Sequence, residues 1–193
     1  MSAIDRPDES ARFWDDHYRQ HAPPVEPQVN ARLAEITAAL APGEALDLGC
    51  GAGGDTLWLA RRGWRVTAID ISAVAIARLA DRAHSSGLVD HITAERHDLT
   101  QSFPTGRFDL VSAHYLHTSF DLPRERVLRS AAHALSPGGR LLVVDHGSAA
   151  PWSWNQDPDV RYPSPQEVAE GIDLDSATWT VERADTPRPS NLR

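Results

Sequence analysis

The sequence predicts an α/β fold, a doubly wound and mostly parallel sheet with helices on both faces. Three observations carry this. Short apolar runs alternate with helical patterns from about residue 45 to 145. A glycine cluster, "GCGAGG" at 49–54, follows the first run. The acids Asp47, Asp70 and Asp98 stand at the ends of the first three runs. Strand alternating with helix implies parallel strands joined by right-handed crossovers. In such sheets a ligand sits beyond the carboxyl ends of the strands, at the switch point beside the first strand. The glycine cluster falls there.

Taken in order, residues 1–10 are polar and expected to be mobile. "ARFWDDHYRQ" reads as a short helix carrying Phe13, Trp14 and Tyr18, and "HAPPVEP" as a proline-rich break. Pro27 then opens a helix on which Val29, Leu33, Ile36 and Leu40 recur at helical spacing, with "APG" as its end. Strands are expected at 45–48, 65–70, 92–97, 108–113 and 140–145. Helices are expected at 55–62, at 72–85 with Ser72 as N-cap and Gly87 as stop, and at 123–135, where Val127, Ala131 and Leu135 share a face. The segment "TQSFPTGR" has room for one helical turn at most. Beyond the fifth strand come a long loop, "AAPWSWNQDPDVRYPSP", a short helix, "PQEVAEGI", and a sixth strand, "ATWTVERAD". The final "TPRPSNLR" has two prolines and makes no ladder.

The 193 residues suit one domain with a full core, and 41% hydrophobic with 24% charged residues excludes global disorder. A net charge of −8 favours a small-molecule partner over nucleic acid, since binding phosphates takes a basic face. The single cysteine, Cys50, lies in the glycine cluster, so neither an intrachain disulfide nor a Cys-rich metal site is expected. "MSAIDRPDES" has no apolar core and no run approaches the ~20 residues of a membrane span, which makes a cytoplasmic location the expectation.

Glycines let the backbone turn at positive φ and approach a ligand closely, and the next helix offers free N–H groups at its start. Asp70, 21 residues after Gly49, suits the ribose of a nicotinamide dinucleotide and of a nucleoside alike. Gly49, Gly51 and Gly54 satisfy the dinucleotide spacing, so NAD stays open on these residues alone. Two further acids separate the ligands. Asp47 is expected to face the loop opening, where its charge would crowd a pyrophosphate but suit an ammonium and a sulfonium. Asp98 is placed to take an adenine amino group. Three acids at adjacent strand ends suit an adenosine linked to an amino acid.

"ALDLGCGAGG", "VTAIDIS", "RHDL", "FDLVSAHYLH" and "LSPGGRLLVV", in this order, resemble the class I S-adenosylmethionine-dependent methyltransferases over about residues 28–147. The resemblance implies a Rossmann-like fold with S-adenosylmethionine as cofactor and S-adenosylhomocysteine as product. It implies Asp47 and the backbone of Gly49, Cys50, Gly51 and Gly53 on the methionine part, and Asp70 on the ribose. It also implies Ile71 beside the adenine, Asp98 and Leu99 at its edge, and the backbone of Ala113 and His114 at the ammonium. "LSPGG" is similar to the family's turn into its fifth strand. "FWDDHY" and "LWLARRGWRVTAIDIS" more narrowly resemble small bacterial enzymes of the tellurite- and thiopurine-methylating group. In those an N-terminal helix closes over the cofactor, so Trp14 and Tyr18 either sit in a lid or simply pack that helix. The family's last antiparallel strand is not visible, and the edge it would leave makes a homodimer an alternative to a monomer.

In-line methyl transfer draws mostly on proximity in a dry site, and a base is needed only if the nucleophile must lose a proton. Of nine histidines, His21, His84, His91 and His133 read as surface residues. His117 and His146 follow the fourth and fifth strands and are the candidates to meet the acceptor. No tight ligand spacing points to a metal. Trp152 and Trp154 in "PWSWNQ", with Tyr115 in "SAHYLH", are candidates to cover an acceptor. In methyltransferases that this chain resembles, "NPPY" accompanies attack by a planar amino nitrogen of a base or amide. The chain reads "SAHYLH" after the fourth strand, so the resemblance, with the acidic balance, argues against a nucleic-acid acceptor. The division expected is 1–10 mobile, 11–40 lid helices, 41–147 cofactor core and 148–193 substrate-side loop and C-terminal strand. A small acceptor is expected: thiol, metalloid oxyanion, hydroxyl or amine. An NAD-dependent oxidoreductase and a cofactor-binding protein without turnover are the rivals.

Overall fold

The computed structural model describes residues 6–147 and 161–186. The chain divides into two compact units, one ending at Val144 and the other beginning at Asp145. The first unit carries, in chain order, α1 (Arg6–Gln20), α2 (Ala31–Thr37), β1 (Glu44–Leu48), α3 (Gly54–Arg61), β2 (Arg65–Asp70), α4 (Ala73–Ser85), β3 (Ile92–Arg96), β4 (Phe108–His114), α5 (Arg124–His133) and β5 (Leu135–Val144). Its five strands lie in the order β3-β2-β1-β4-β5, every neighbouring pair parallel. The chain steps from β1 outward to β2 and β3, then returns to β4 and continues to β5 on the other side. Right-handed crossovers therefore place α3 and α4 on one face and α5 on the other. The reversal between β1 and β4 is the switch point.

Because both faces are covered, the central strands read as continuous apolar runs. Leu46, Leu48, Ala68, Ile69, Leu110 and Val111 are fully buried. Leu57 and Leu59 of α3, Leu79 of α4 and Trp64 before β2 complete the core of the first face. Ser72 caps α4 by accepting the Ala75 N–H, and Gly87 turns the chain beyond it at a φ of 68°.

The structure corrects the expectations at four places. Residues 6–10, read as part of an irregular terminus, form the first turns of α1, with Ser10 and Ala11 buried. The Asp15 carboxylate accepts the Ser72 hydroxyl (2.6 Å) and the Val74 N–H (3.1 Å), tying α1 to the start of α4. Pro27 does not open a helix; α2 begins at Ala31 with Asn30 as cap. Residues 28–30 stay extended because they run along the start of α3, where the Asn30 N–H donates to Asp55 (2.6 Å). β5 begins at Leu135, not 140, and "LSPGG" survives inside it as an irregularity. Two residue steps on β4 (Phe108 to Leu110) match five on β5 (Leu135 to Arg140).

The second unit contains α6 (Pro165–Ile172), opened by a capping box between Ser164 and Glu167. The expected sixth strand is not formed: among the described residues of this unit there is no strand. Asp175 captures the segment instead. Its carbonyl accepts the N–H of Thr178 and Trp179, its carboxylate accepts the Ala177 N–H, and Gln166 takes the Ala184 carbonyl. A β-prone stretch without a partner strand settles into a turn. Among the described residues no helix is long and apolar enough to cross a membrane.

Candidate active site

The site grows out of the turn between β1 and α3. Gly49, Gly51 and Gly53 have φ values of 72°, 49° and 82°, a region open to glycine and strained for other residues. The N–H groups of Gly49 and Cys50 both donate to the Ile69 carbonyl at 2.9 Å, which pins the turn to the end of β2. There the Asp70 carboxylate accepts the Gly51 N–H (3.0 Å) and the Ser72 N–H (2.9 Å). Burial pushes the Asp70 acid up, and the backbone N–H groups of Ser72, Gly51 and Ile71 work against that shift. Tyr18 of α1 reaches the same point. A Cβ added at Gly51 would stand 2.8 Å from its phenol oxygen. Burial, with the Asp70 charge, pushes that phenol up.

A cavity of about 610 Å³ opens over the tips of β3, β2, β1 and β4 beside α1. This is the size of a small-molecule site. Gly49, Asp70, Ile71, Asp98 and Leu99 line it, as do Trp14 and Tyr18 from α1 and Tyr115 and His117 after β4. Nine of the residues singled out in the sequence are thus brought together. Within that wall the Asp98 carboxylate organises its own turn, accepting from the Thr100 N–H and hydroxyl and from Gln101. Tyr115 is a rare non-glycine residue at positive φ (52°), a strained backbone at the cavity edge.

Several other expected site residues of the first unit lie beneath the turn instead. Asp47 does not face the loop opening. It is 2% exposed, and its carboxylate accepts the Thr56 hydroxyl at 2.6 Å and the Ser112 hydroxyl at 3.3 Å. Burial, then repulsion from Asp55, pushes its acid up to about 6. The reason is local: α3 starts directly above β1, so Thr56 in its first turn covers the carboxylate. Cys50 is buried, its thiol pushed up chiefly by that burial. Gly53 packs on Leu79, and Ala113 is fully buried. The His114 ring is inside too, with Nδ1 2.6 Å from Asp55 and a buried Nε2 that has no hydrogen-bond partner. His146 is an exposed residue of the second unit. Trp152 and Trp154 lie outside the described residues.

Sequence reasoning missed three features. The whole segment 115–122 after β4 is cavity wall, joined by Glu9 and Ser10 of α1. His97 lines the cavity as well, held between Glu95 and Ser102. The Asp55–His114 pair beneath the glycine turn went unseen. A run of polar and aromatic residues between a strand and a helix, "HTSFDLP", was the available signal for the first.

The profile of the methyltransferase domain matches residues 45–139. A solved structure from work on "Conversion of a Disulfide Bond into a Thioacetal Group during Echinomycin Biosynthesis" is 30% identical, covers 84% of this chain and 77% of its own, and superposes with a TM-score of 0.63. The chain belongs to the class I S-adenosylmethionine-dependent methyltransferases. Among curated relatives of this chain, 27-O-demethylrifamycin SV methyltransferase of Amycolatopsis mediterranei is 33% identical over 136 residues, 69% of this chain and 49% of that enzyme. Ribosomal RNA small subunit methyltransferase C of Alcanivorax borkumensis is 33% identical over 121 residues, 60% of this chain and 36% of that enzyme. The chain thus spans half or less of the length of these two relatives. The family's methyl donor is S-adenosylmethionine, the cofactor expected from the sequence.

Proposed function

We propose that this protein transfers a methyl group from S-adenosylmethionine to a small-molecule acceptor in the cytoplasm, releasing S-adenosylhomocysteine. The observation that carries this reading is the cavity at the switch point, with Asp70 held in its wall by the Gly51 and Ser72 N–H groups. The residues present fit an adenosine. Asp70 accepts from the ribose hydroxyls, Ile71 and Leu99 flank the base, and Asp98 meets its amino group. Gly49, Cys50, Gly51 and Gly53 bring backbone to the amino-acid part, with the backbone of Ala113 and His114 opposite. Asp47 acts from beneath, by its charge rather than by contact. The cofactor supplies an electrophilic methyl carbon. The chain supplies placement and exclusion of water, with Trp14 and Tyr18 of α1 as a lid. His117, on the cavity wall, is the residue placed to hold an acceptor proton, and Tyr115 stands beside the acceptor. His146, Trp152 and Trp154 keep the acceptor-side roles expected of them.

The narrower likeness to the tellurite- and thiopurine-methylating group rests on "FWDDHY", the part of α1 that carries Trp14 and Tyr18 to the cavity. We read residues 11–40 as lid, 41–147 as cofactor core and 148–193 as the acceptor side. The assembly is a monomer or a homodimer, which sedimentation separates.

Calorimetric titration with S-adenosylhomocysteine, paired with NAD, tests the function. Micromolar binding of the first and none of the second is expected. Binding of NAD alone would overturn the reading. S-adenosylhomocysteine binding without methyl transfer to thiol, hydroxyl, amine or oxyanion acceptors would leave a binding protein.

A further inference from the structure

We propose that the acceptor carries a cationic amino group, held by Glu9 and Asp121 against the rings of Trp14 and Phe120. This rests on the methyltransferase reading above. The cavity crosses four strand tips in the order β3, β2, β1, β4. Neighbouring strands stand about 4.8 Å apart, so the three steps across it span about 14 Å. Asp98 and Asp70 lie at the β3 and β2 tips and serve the adenosine. What remains is the far end, bounded by the first half of α1 and by residues 115–122.

Two carboxylates line that end. Glu9 stands one helical turn before Phe13 on α1, and the Phe13 ring packs edge-on against Phe120 with centroids 5.4 Å apart. Asp121 follows Phe120 directly. Glu9 and Asp121 therefore flank one aromatic contact, and both line the cavity together with Phe120 and Trp14. A cation between carboxylates and over aromatic faces is attracted by both.

The opposite charge is missing. The chain contains no lysine, all 19 of its basic residues being arginine. Among the described residues no arginine lines the cavity, while four carboxylates do: Glu9, Asp70, Asp98 and Asp121. Three arginines are bonded to backbone of the wall: Arg96 on the Ile71 carbonyl, Arg124 on the Leu116 carbonyl and Arg126 on the Thr100 carbonyl. An oxyanion or carboxylate acceptor would enter against this field with no lysine or arginine among the described lining residues to offset it. A protonated amine has no lone pair for attack, and the two carboxylates favour its protonated form. The amino group is thus the handle, and the methylated atom is another group of the same molecule.

The test titrates phenethylamine, phenethyl alcohol, phenylacetate and tellurite by calorimetry into the protein saturated with S-adenosylhomocysteine. We expect phenethylamine to bind at least tenfold more tightly than the alcohol, and the two anions not to bind measurably. The double substitution Glu9→Gln and Asp121→Asn should shrink the amine preference to about threefold or less. Both residues are exposed, so the variant should fold. Phenylacetate or tellurite binding as tightly as the amine, no amine binding, or a preference unmoved by the double substitution would each overturn the subsite. Failure of S-adenosylhomocysteine itself to bind is read first and sinks the methyltransferase reading separately.

Discussion

At the β2 end of the cavity, Asp70 is 8% exposed and holds two backbone N–H groups, whereas at the β4 end Glu9 and Asp121 are exposed. The first end is fixed by bonds made within the turn itself: Gly49, Cys50 and Gly51 are all tied to the last two residues of β2. The second is a loop of eight residues, 115–122, entered through the strained Tyr115. Under the proposed function the difference matches two tasks. A ligand shared by a whole family is served by backbone geometry. An acceptor that varies between relatives is served by side chains on a loop, which changes without disturbing the sheet.

Four substitutions probe this contrast, and the largest effect belongs to the rigid end. Asp70→Ala removes the acceptor proposed for both ribose hydroxyls and leaves the Gly51 and Ser72 N–H groups unpaired. Charge-assisted bonds of this kind are worth about 1.5–3 kcal/mol each, so S-adenosylhomocysteine affinity should fall about 100-fold in calorimetry. An affinity within fivefold of the parent would break the assignment.

Asp47 gives the next effect, on stability. Its acid is raised to about 6, by burial first and Asp55 second. A carboxyl raised on folding contributes stability that is full below its unfolded value near 4 and lost as pH rises through about 6. Urea denaturation should therefore show Asp47→Asn gaining on the parent between about pH 4 and 6. A constant difference across that range would mean that the Thr56 and Ser112 hydroxyls compensate the charge.

Asp15 tests how far the roof depends on one carboxylate. Burial pushes it up, but the Ser72 hydroxyl and Val74 N–H, with Arg19 and Arg96 nearby, outweigh that and hold it below the usual range. Asp15→Ala should cost about 1–2 kcal/mol of stability. It should weaken S-adenosylhomocysteine binding about tenfold if α1 is a lid, and leave it unchanged if α1 only packs. Tyr115→Gly, at the loose end, should have the smallest effect, a gain of about 1 kcal/mol in thermal unfolding from relief of its positive φ. Cofactor affinity should not move, while acceptor turnover falls.

What was legible in the sequence follows the same contrast. The β2 boundaries, the Ser72 cap and the glycine turn are local patterns, and each is found where it was expected. Asp47 was misjudged because a strand pattern says that a side chain points out of the pleat, not that the next helix will cover it. The start of α1 reads as a loose terminus because what ties that helix down, the Ser72 hydroxyl donating to Asp15, lies 57 residues away in sequence. The sixth strand failed for the converse reason: "ATWTVERAD" has the composition of a strand, but pairing is a property of two segments. The wall at 115–122 carries no periodicity at all, and only the fold brings it beside α1.

Cys50 has one more consequence. It is the chain's single thiol, 8% exposed, placed between Gly49 and Gly51 and suppressed in reactivity by burial. A thiol reagent added to the native protein therefore has one target, and it reacts only when the turn opens. The labelling rate becomes a clock for local opening of the glycine turn, read without any engineered probe.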